Sequence, residues 1–226
     1  QVPLVVPEVN PQAILKHKGI IANPNCSTII MVMALKPIYD LAKIKRVIVS
    51  TYQAVSGAGK EGIDELDAQV RDHSEGREMT ANILPSASAE KHYPIAFNLI
   101  PQIDVFCDNL YTKEEMKMVN ETKKIMEDYE MRITATTIRV PVYRSHSESV
   151  NIELEKEVDL GAMREALAKF PGVTVQDDPS KQEYPMPLYT SEKDDVYVGR
   201  LRRDESCEKS YNMWVVGDQI RKGAAL

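Results

Sequence analysis

Asn23-Pro24-Asn25-Cys26-Ser27-Thr28 places a thiol where an extended run, Gly19-Ile20-Ile21-Ala22, meets an apolar helix, Ile29-Ile30-Met31-Val32-Met33-Ala34-Leu35. The unpaired N–H groups of a helix start favour negative charge, so a thiol there ionises more easily. A free cysteine has a pKa of about 8.5, and such a setting lowers it to roughly 3.5–7.5. The thiolate is the nucleophile, so Cys26 reads as a prepared nucleophile, against the competing reading of a packed structural thiol. Cys107 and Cys207 lack that setting, and Cys207 stands between Glu205 and Glu208.

A second chemical group lies in Arg139-Val140-Pro141-Val142-Tyr143-Arg144-Ser145-His146. A histidine titrates near neutral pH and suits acid/base work, although a hydrogen-bonded loop histidine fits the same pattern. Seven residues separate Arg139 from His146, which on one regular strand would put them on opposite faces. If both serve one site, residues 141–145 must bulge or turn. Glu121 and Lys124 are three apart on one helix face, the spacing of a surface ion pair. Gly57, Gly59 and Gly62 match GxGxxG in letters, but no acidic strand end follows about 20 residues later. The stretch is read as a glycine turn that lets backbone approach a ligand.

The elements that must position these groups are legible in outline. Pro3 and Pro7 keep the first residues extended. Residues 19–22 predict a short strand, and the cysteine helix runs to about Ala42 with a kink or break at Pro37. A strand over 46–52, a glycine turn and a polar helix over about 61–73 follow. Residues 74–92 read as a polar surface excursion. Thr112-Lys113-Glu114-Glu115 is a capping box opening a helix to about Asp128. Strands are expected over 132–142, 149–155, 173–175, 195–201 and 212–216. Asp159 caps a helix stopped by Pro171-Gly172, and Asp218 caps a last helix. Strands and helices mix without strict alternation. This predicts an α+β domain with one mixed β-sheet, helices on one face and a partner subunit on the other.

The 226 residues carry a net charge of −6 and a pI near 5.4, with no basic run long enough to track phosphates. This argues against nucleic acid, and the absence of a long apolar stretch argues against a membrane span. Three widely spaced cysteines without a CxxC pair argue against a disulfide framework or a zinc site and fit a reducing cytoplasm. The chain is expected to be one catalytic and dimerisation domain over 1–226, excised from a longer protein, since both ends read as cut.

Taken together, NPNCST (23–28), TYQAVSGAG (51–59), HYPIAFN (92–98), QIDVF (102–106), EEMKM (114–118), ETKKIM (121–126), HSESV (146–150) and GDQIRKGAA (217–225) resemble the bacterial aspartate-β-semialdehyde dehydrogenase family. The resemblance covers essentially the whole chain. It implies the α+β C-terminal domain of the glyceraldehyde-3-phosphate-dehydrogenase type. It implies NADPH-dependent reductive dephosphorylation of β-aspartyl phosphate through a cysteine thioester, in a homodimer or dimer of dimers. By the same resemblance Cys26 is the acylated nucleophile, His146 the acid/base, and Gln53 a positioner of the thioester. Asn25 and Lys124 match groups around the phosphate, while Glu121 and Arg139 match contacts to the amino-acid portion. Ser56, Gly57, Gly59 and Gln219 match contacts to NADP. The family's N-terminal Rossmann domain, which binds most of that cofactor, has no counterpart here. A related acyl-phosphate or acyl-CoA reductase, or a module serving only assembly, is the alternative reading.

Overall fold

The computed structural model describes residues 2–224. The long apolar helix α1 (Cys26–Leu41) starts where Asn25 Oδ1 accepts the Thr28 N–H, one of the otherwise unpaired donors of a helix start. Residues 29–35 are all fully buried, so this helix is the central pillar of the core and not an amphipathic surface helix. It continues through Pro37, so the expected break is absent. Buried Met33, Leu35 and Ile38 flank the proline. Each such burial contributes about 1.5–3 kcal/mol, enough together to offset a proline cost of about 3 kcal/mol.

Among the described residues, six strands form one mixed sheet. They are β1 (Ile44–Gln53), β2 (Arg132–Arg139), β3 (His146–Leu154), β4 (Val173–Val175), β5 (Val196–Arg203) and β6 (Ser210–Gly217), in spatial order β2-β1-β3-β6-β5-β4. β1 runs parallel to β2 and β4 parallel to β5, and the remaining neighbours are antiparallel. Alternation along β1 turns Val47, Val49, Thr51 and Gln53 inward and leaves Ile48, Ser50 and Tyr52 half-buried on the outer face. Helices α1, α3 (Lys113–Ile125) and α4 (Leu160–Lys169) cover the inner face. The outer face carries the Tyr52 and Trp214 rings, 5.6 Å between centroids and tilted 46° to one another, with the one-turn helix α5 (Pro187–Thr190) beside β6. The predicted α+β class, with its helical layer on one side, is the observed one.

The capping box of α3 is present as expected. Thr112 Oγ1 accepts the Glu115 N–H and Glu115 accepts the Thr112 N–H. Helix α2 (Gly59–Ser74) closes over a smaller core of Val55, Leu66, Leu84, Ile95, Ala96 and Ile100. Leu84, Ile95, Ala96 and Ile100 come from residues 75–112, which form no helix or strand. Residues 19–22 do not make the expected strand. Only Ala22 pairs, in a single bridge with Leu4, and Ile20 and Ile21 are exposed with no neighbouring strand to hold them. Asp218 caps the final element through the Ile220 and Arg221 N–H groups. That element is a π-type turn, Ile220–Ala224, broken at Lys222. The expected continuation through 225–226 lies outside the described residues.

Candidate active site

Strand order decides the geometry. β2 and β3 lie on opposite sides of β1, so the connection over 140–145 crosses the C-terminal end of β1. Gln53 ends β1 directly opposite Arg139, the last residue of β2. His146 opens β3 one step beyond the Tyr52–Ser147 pair. His146 is therefore a strand residue and not a turn residue. The seven-residue spacing is met by a full crossing between two strands.

One peptide ties these groups together. The Ala54 N–H donates to His146 Nδ1 at 3.0 Å, and Arg139 Nη1 donates to the Ala54 carbonyl at 2.7 Å. A backbone N–H can only donate, so Nδ1 is the acceptor and the neutral imidazole carries its proton on Nε2. His146 is fully buried, and that Nε2 has no partner among the described residues. Burial first, and the Arg139 charge second, hold the imidazole well below its usual range, so it is neutral at physiological pH. Arg139 is also buried, with Nε unpartnered. Burial lowers its pKa, while Glu114 and Cys26 act in the opposite sense.

Ser145, just before His146, takes a left-handed conformation, φ 73°. A non-glycine residue there costs on the order of 1 kcal/mol and needs external support. Gln219 supplies it: its Oε1 accepts the Ser145 N–H at 3.0 Å while its Nε2 donates to Ser56 Oγ. Both ends of this predicted cofactor contact are thus committed to the protein, clamping the glycine turn to the entrance of β3.

Cys26 stands at the first turn of α1, partly exposed, but its surroundings reverse the expected acidity. Burial, reinforced by the Glu114 carboxylate, pushes the thiol up to about 12, with Ser27 and Arg139 working the other way. The resting thiol is protonated. The helix start is outweighed because the sulfur sits among protein atoms and faces a carboxylate. The terminal turn presses on it closely. A Cβ at Gly223 would lie 2.7 Å from the Cys26 Cβ, and the Gly223 carbonyl accepts from Asn23 Nδ2.

Around the thiol, the Asn25 N–H donates to Glu121 Oε2 at 2.8 Å, and Asn25 Nδ2 donates to both Glu114 oxygens at 2.9 and 3.0 Å. Burial raises the Glu121 carboxyl, against the hydrogen bonds from Asn25 and Thr28. Gln53 Nε2 donates to Thr51 Oγ1 at 3.2 Å and to Glu114 Oε1 at 3.3 Å. Lys124 is not gathered here. Its Nζ donates to the Val2 carbonyl at 2.7 Å, at the rim of a cleft of about 390 Å³ lined also by Leu4, Lys16, Glu127 and Tyr129. Among the described residues no Glu121–Lys124 ion pair forms.

The glycine turn borders the site. A Cβ at Gly57 would lie 2.7 Å from Arg139 Nη1 and 3.2 Å from His146 Cε1. Gly59, at φ 80°, has open space where a Cβ would point. The turn therefore packs its backbone directly against Arg139 and His146, with open space beside it only at Gly59. Ser56, Gly57, Gly59 and Gln219 are gathered at this turn, with Gln219 Nε2 donating to Ser56 Oγ.

Glu114, Ala54 and Ser145 carry site functions that sequence reasoning missed. A signal for Glu114 existed: it lies seven residues before Glu121, on the same face of α3 as Met118 and Ile125. The backbone role of Ala54 and the left-handed Ser145 leave no trace in residue type.

A mixed sheet with a single helical layer and a thiol at the first turn of the central helix defines an α+β domain of the glyceraldehyde-3-phosphate-dehydrogenase C-terminal type. Residues 35–222 match the family model described as semialdehyde dehydrogenase, dimerisation domain. The chain belongs to that family. It is 56% identical over 226 residues to aspartate-semialdehyde dehydrogenase of Aquifex aeolicus, covering 99% of this chain and 65% of the relative. It is 52% identical over 224 residues to the Bacillus subtilis enzyme of the same name, again at 99% and 65% coverage. The fold superposes on the crystal structure of aspartate semialdehyde dehydrogenase II complexed with ASA from Vibrio cholerae. The TM-score is 0.91 at 46% identity, over 99% of this chain and 65% of that one. The chain thus spans about 65% of the length of these curated relatives.

Proposed function

We propose that this chain is the catalytic and dimerisation part of an aspartate-semialdehyde dehydrogenase, which reductively dephosphorylates β-aspartyl phosphate to aspartate semialdehyde. The observation that carries the reading is the convergence of Gln53, Arg139 and His146 from three adjacent strands, joined to the Cys26 turn by a shared carboxylate. That the Vibrio cholerae relative is complexed with ASA supports a small-molecule ligand of the same kind for this chain.

Cys26 Sγ attacks the acyl carbon, the C–O bond to phosphate breaks, and a thioester remains on the sulfur. Such covalent capture divides one difficult step into two easier ones. The proton leaving Sγ departs with the phosphate, whose oxygens accept it more readily than the neutral, Nε2-protonated His146. Arg139, through its remaining guanidinium N–H groups, holds the substrate carboxylate, and Glu121 faces the substrate ammonium. His146 aims its unpartnered Nε2–H at the acyl oxygen as charge develops there. NADPH supplies the hydride when bound, with its nicotinamide end beside Ser56, Gly57 and Gly59; the C–S bond then breaks, releasing the aldehyde, and Cys26 Sγ takes a proton from solvent to restore the thiol. Lys124 serves the phosphate only by leaving the Val2 carbonyl. The outer sheet face bearing Tyr52 and Trp214 is the homodimer surface.

Cys26→Ala in the full-length protein tests the core of this reading. Turnover should vanish with the circular dichroism spectrum unchanged, and mass spectrometry should find an acyl adduct on the wild-type peptide and none on the variant. Retention of more than a few per cent of the rate would reject Cys26 as the nucleophile.

A further inference from the structure

We propose that Glu114 is a positioning residue of the thiol site: its carboxylate clamps the side-chain amides of Asn25 and Gln53 and faces Cys26 with a negative charge. The proposal rests on the assignment of Cys26 as the nucleophile. Glu114 is buried in the first turn of α3, yet both of its oxygens are engaged. An ionised carboxylate only accepts, so it dictates which end of each amide turns toward it. Asn25 must present Nδ2, which leaves Oδ1 free to cap α1 through Thr28. Gln53 must present Nε2, which with the bond to Thr51 commits both of its protons and leaves Oε1 uncommitted. One side chain thereby fixes the residue before the nucleophile and the residue that ends β1.

The charged and titratable groups around the thiol explain why Glu114 dominates. From α3 come Glu114, Lys117 and Glu121, from β2 Arg139, and from β3 His146 and Glu148. The neighbouring terminal turn brings Lys222, which is bound to Glu8. His146 is neutral, and burial holds the carboxyl of Glu148, with neither oxygen partnered among the described residues, well above the usual carboxylate range. Lys117 Nζ is 3.6 Å from Glu114 and about half-exposed, so it compensates the carboxylate only partly.

The test is iodoacetamide labelling of Cys26, followed peptide by peptide, in the full chain with Glu114→Gln. The glutamine keeps the shape and removes the charge. The thiol pKa should fall by about one unit, and labelling at pH 8 should run about threefold faster after the lower nucleophilicity of a more acidic thiol is included. An unchanged rate in a folded variant overturns the proposal. Glu114→Asp keeps the charge but withdraws it from both amides, and provides the readout if the glutamine variant does not fold. In the full-length protein its kcat should fall about a hundredfold with KM moved less than threefold, the cost of a displacement near 1 Å. Wild-type kcat in Glu114→Asp overturns the clamp. Turnover surviving Cys26→Ala would instead reject the nucleophile and leave the Glu114 contacts as they are.

Discussion

Replacing Gly57 by alanine adds one methyl group at the tightest point of the site. Its Cβ would sit 2.7 Å from Arg139 Nη1, against an ordinary contact of 3.4 Å or more, so about 0.7 Å must be found. The guanidinium cannot swing away freely, because Nη1 is bonded to the Ala54 carbonyl at 2.7 Å and the side chain is 4% exposed. Overpacking of this kind costs about 1–3 kcal/mol. Relief by breaking the charge-assisted bond costs about 1.5–3 kcal/mol instead. At 2 kcal/mol, a chain of this size loses about 4–8 °C in Tm. The displaced Arg139 should lower kcat/KM in the full-length protein about a hundredfold. Gly76→Ala is the control. It has φ 70° and no neighbour within 4 Å, so it bears only the backbone cost of about 1–2 kcal/mol, with kcat/KM within twofold of wild type. Calorimetry and steady-state kinetics on both variants decide the matter. A Gly57→Ala protein with wild-type kcat/KM and a Tm within 1 °C would refute the reasoning.

The remaining expectations concern charge, capping and the cofactor. In the resting chain at pH 8, Cys26 should label with iodoacetamide more than about tenfold slower than exposed Cys207, with the gap narrowing as pH rises. Equal rates would contradict a crowded, protonated thiol. Glu148 is held well above the usual carboxylate range by burial and by Glu114, so the folded state retains a proton that the unfolded state releases. Stability contributed by this group is therefore lost as pH rises above about 4.3, at up to about 1.4 kcal/mol per unit. Glu148→Gln should gain on the wild type between pH 5 and pH 8 in thermal melts, and a constant difference would count against it. Thr112→Ala removes the α3 cap and should cost about 1 kcal/mol, read as a Tm drop of about 2–4 °C. This chain by itself should bind NADP only weakly, and micromolar affinity in calorimetry would contradict the placement of the cofactor site.

Residue type announced the parts of the site whose chemistry is local. The Asp159 cap, the capping box at Thr112 and the Asp218 cap depend on one side chain and the next few N–H groups, and each is where the sequence puts it. The meeting of Arg139 with His146 depends instead on β1 lying between their strands, a pairing no short-range pattern encodes. The acidity of Cys26 was misread for the same reason. Helix position is local, whereas burial and the Glu114 carboxylate, 88 residues further along the chain, are not. Pro37 and residues 19–22 show the tertiary environment overriding propensity in both directions: a buried core carries a helix through a proline, and an apolar run without a neighbour stays unpaired.

The placement of Gln53, Arg139 and His146 across three neighbouring strands gives the site a ruler. Strands repeat every 4.7–4.9 Å or so, and the ladder admits no intermediate spacing. The distance from the guanidinium strand to the imidazole strand is thus set in whole steps, while the side reached from α1 and α3 can adjust by changes of rotamer. The β1–β2 pairing joins Gln53 to Arg139, 86 positions apart, so the ruler does not exist in a partly folded chain. Recovery of activity during refolding of the full-length protein will therefore time the closure of that parallel pair, later than any signal from the helices alone.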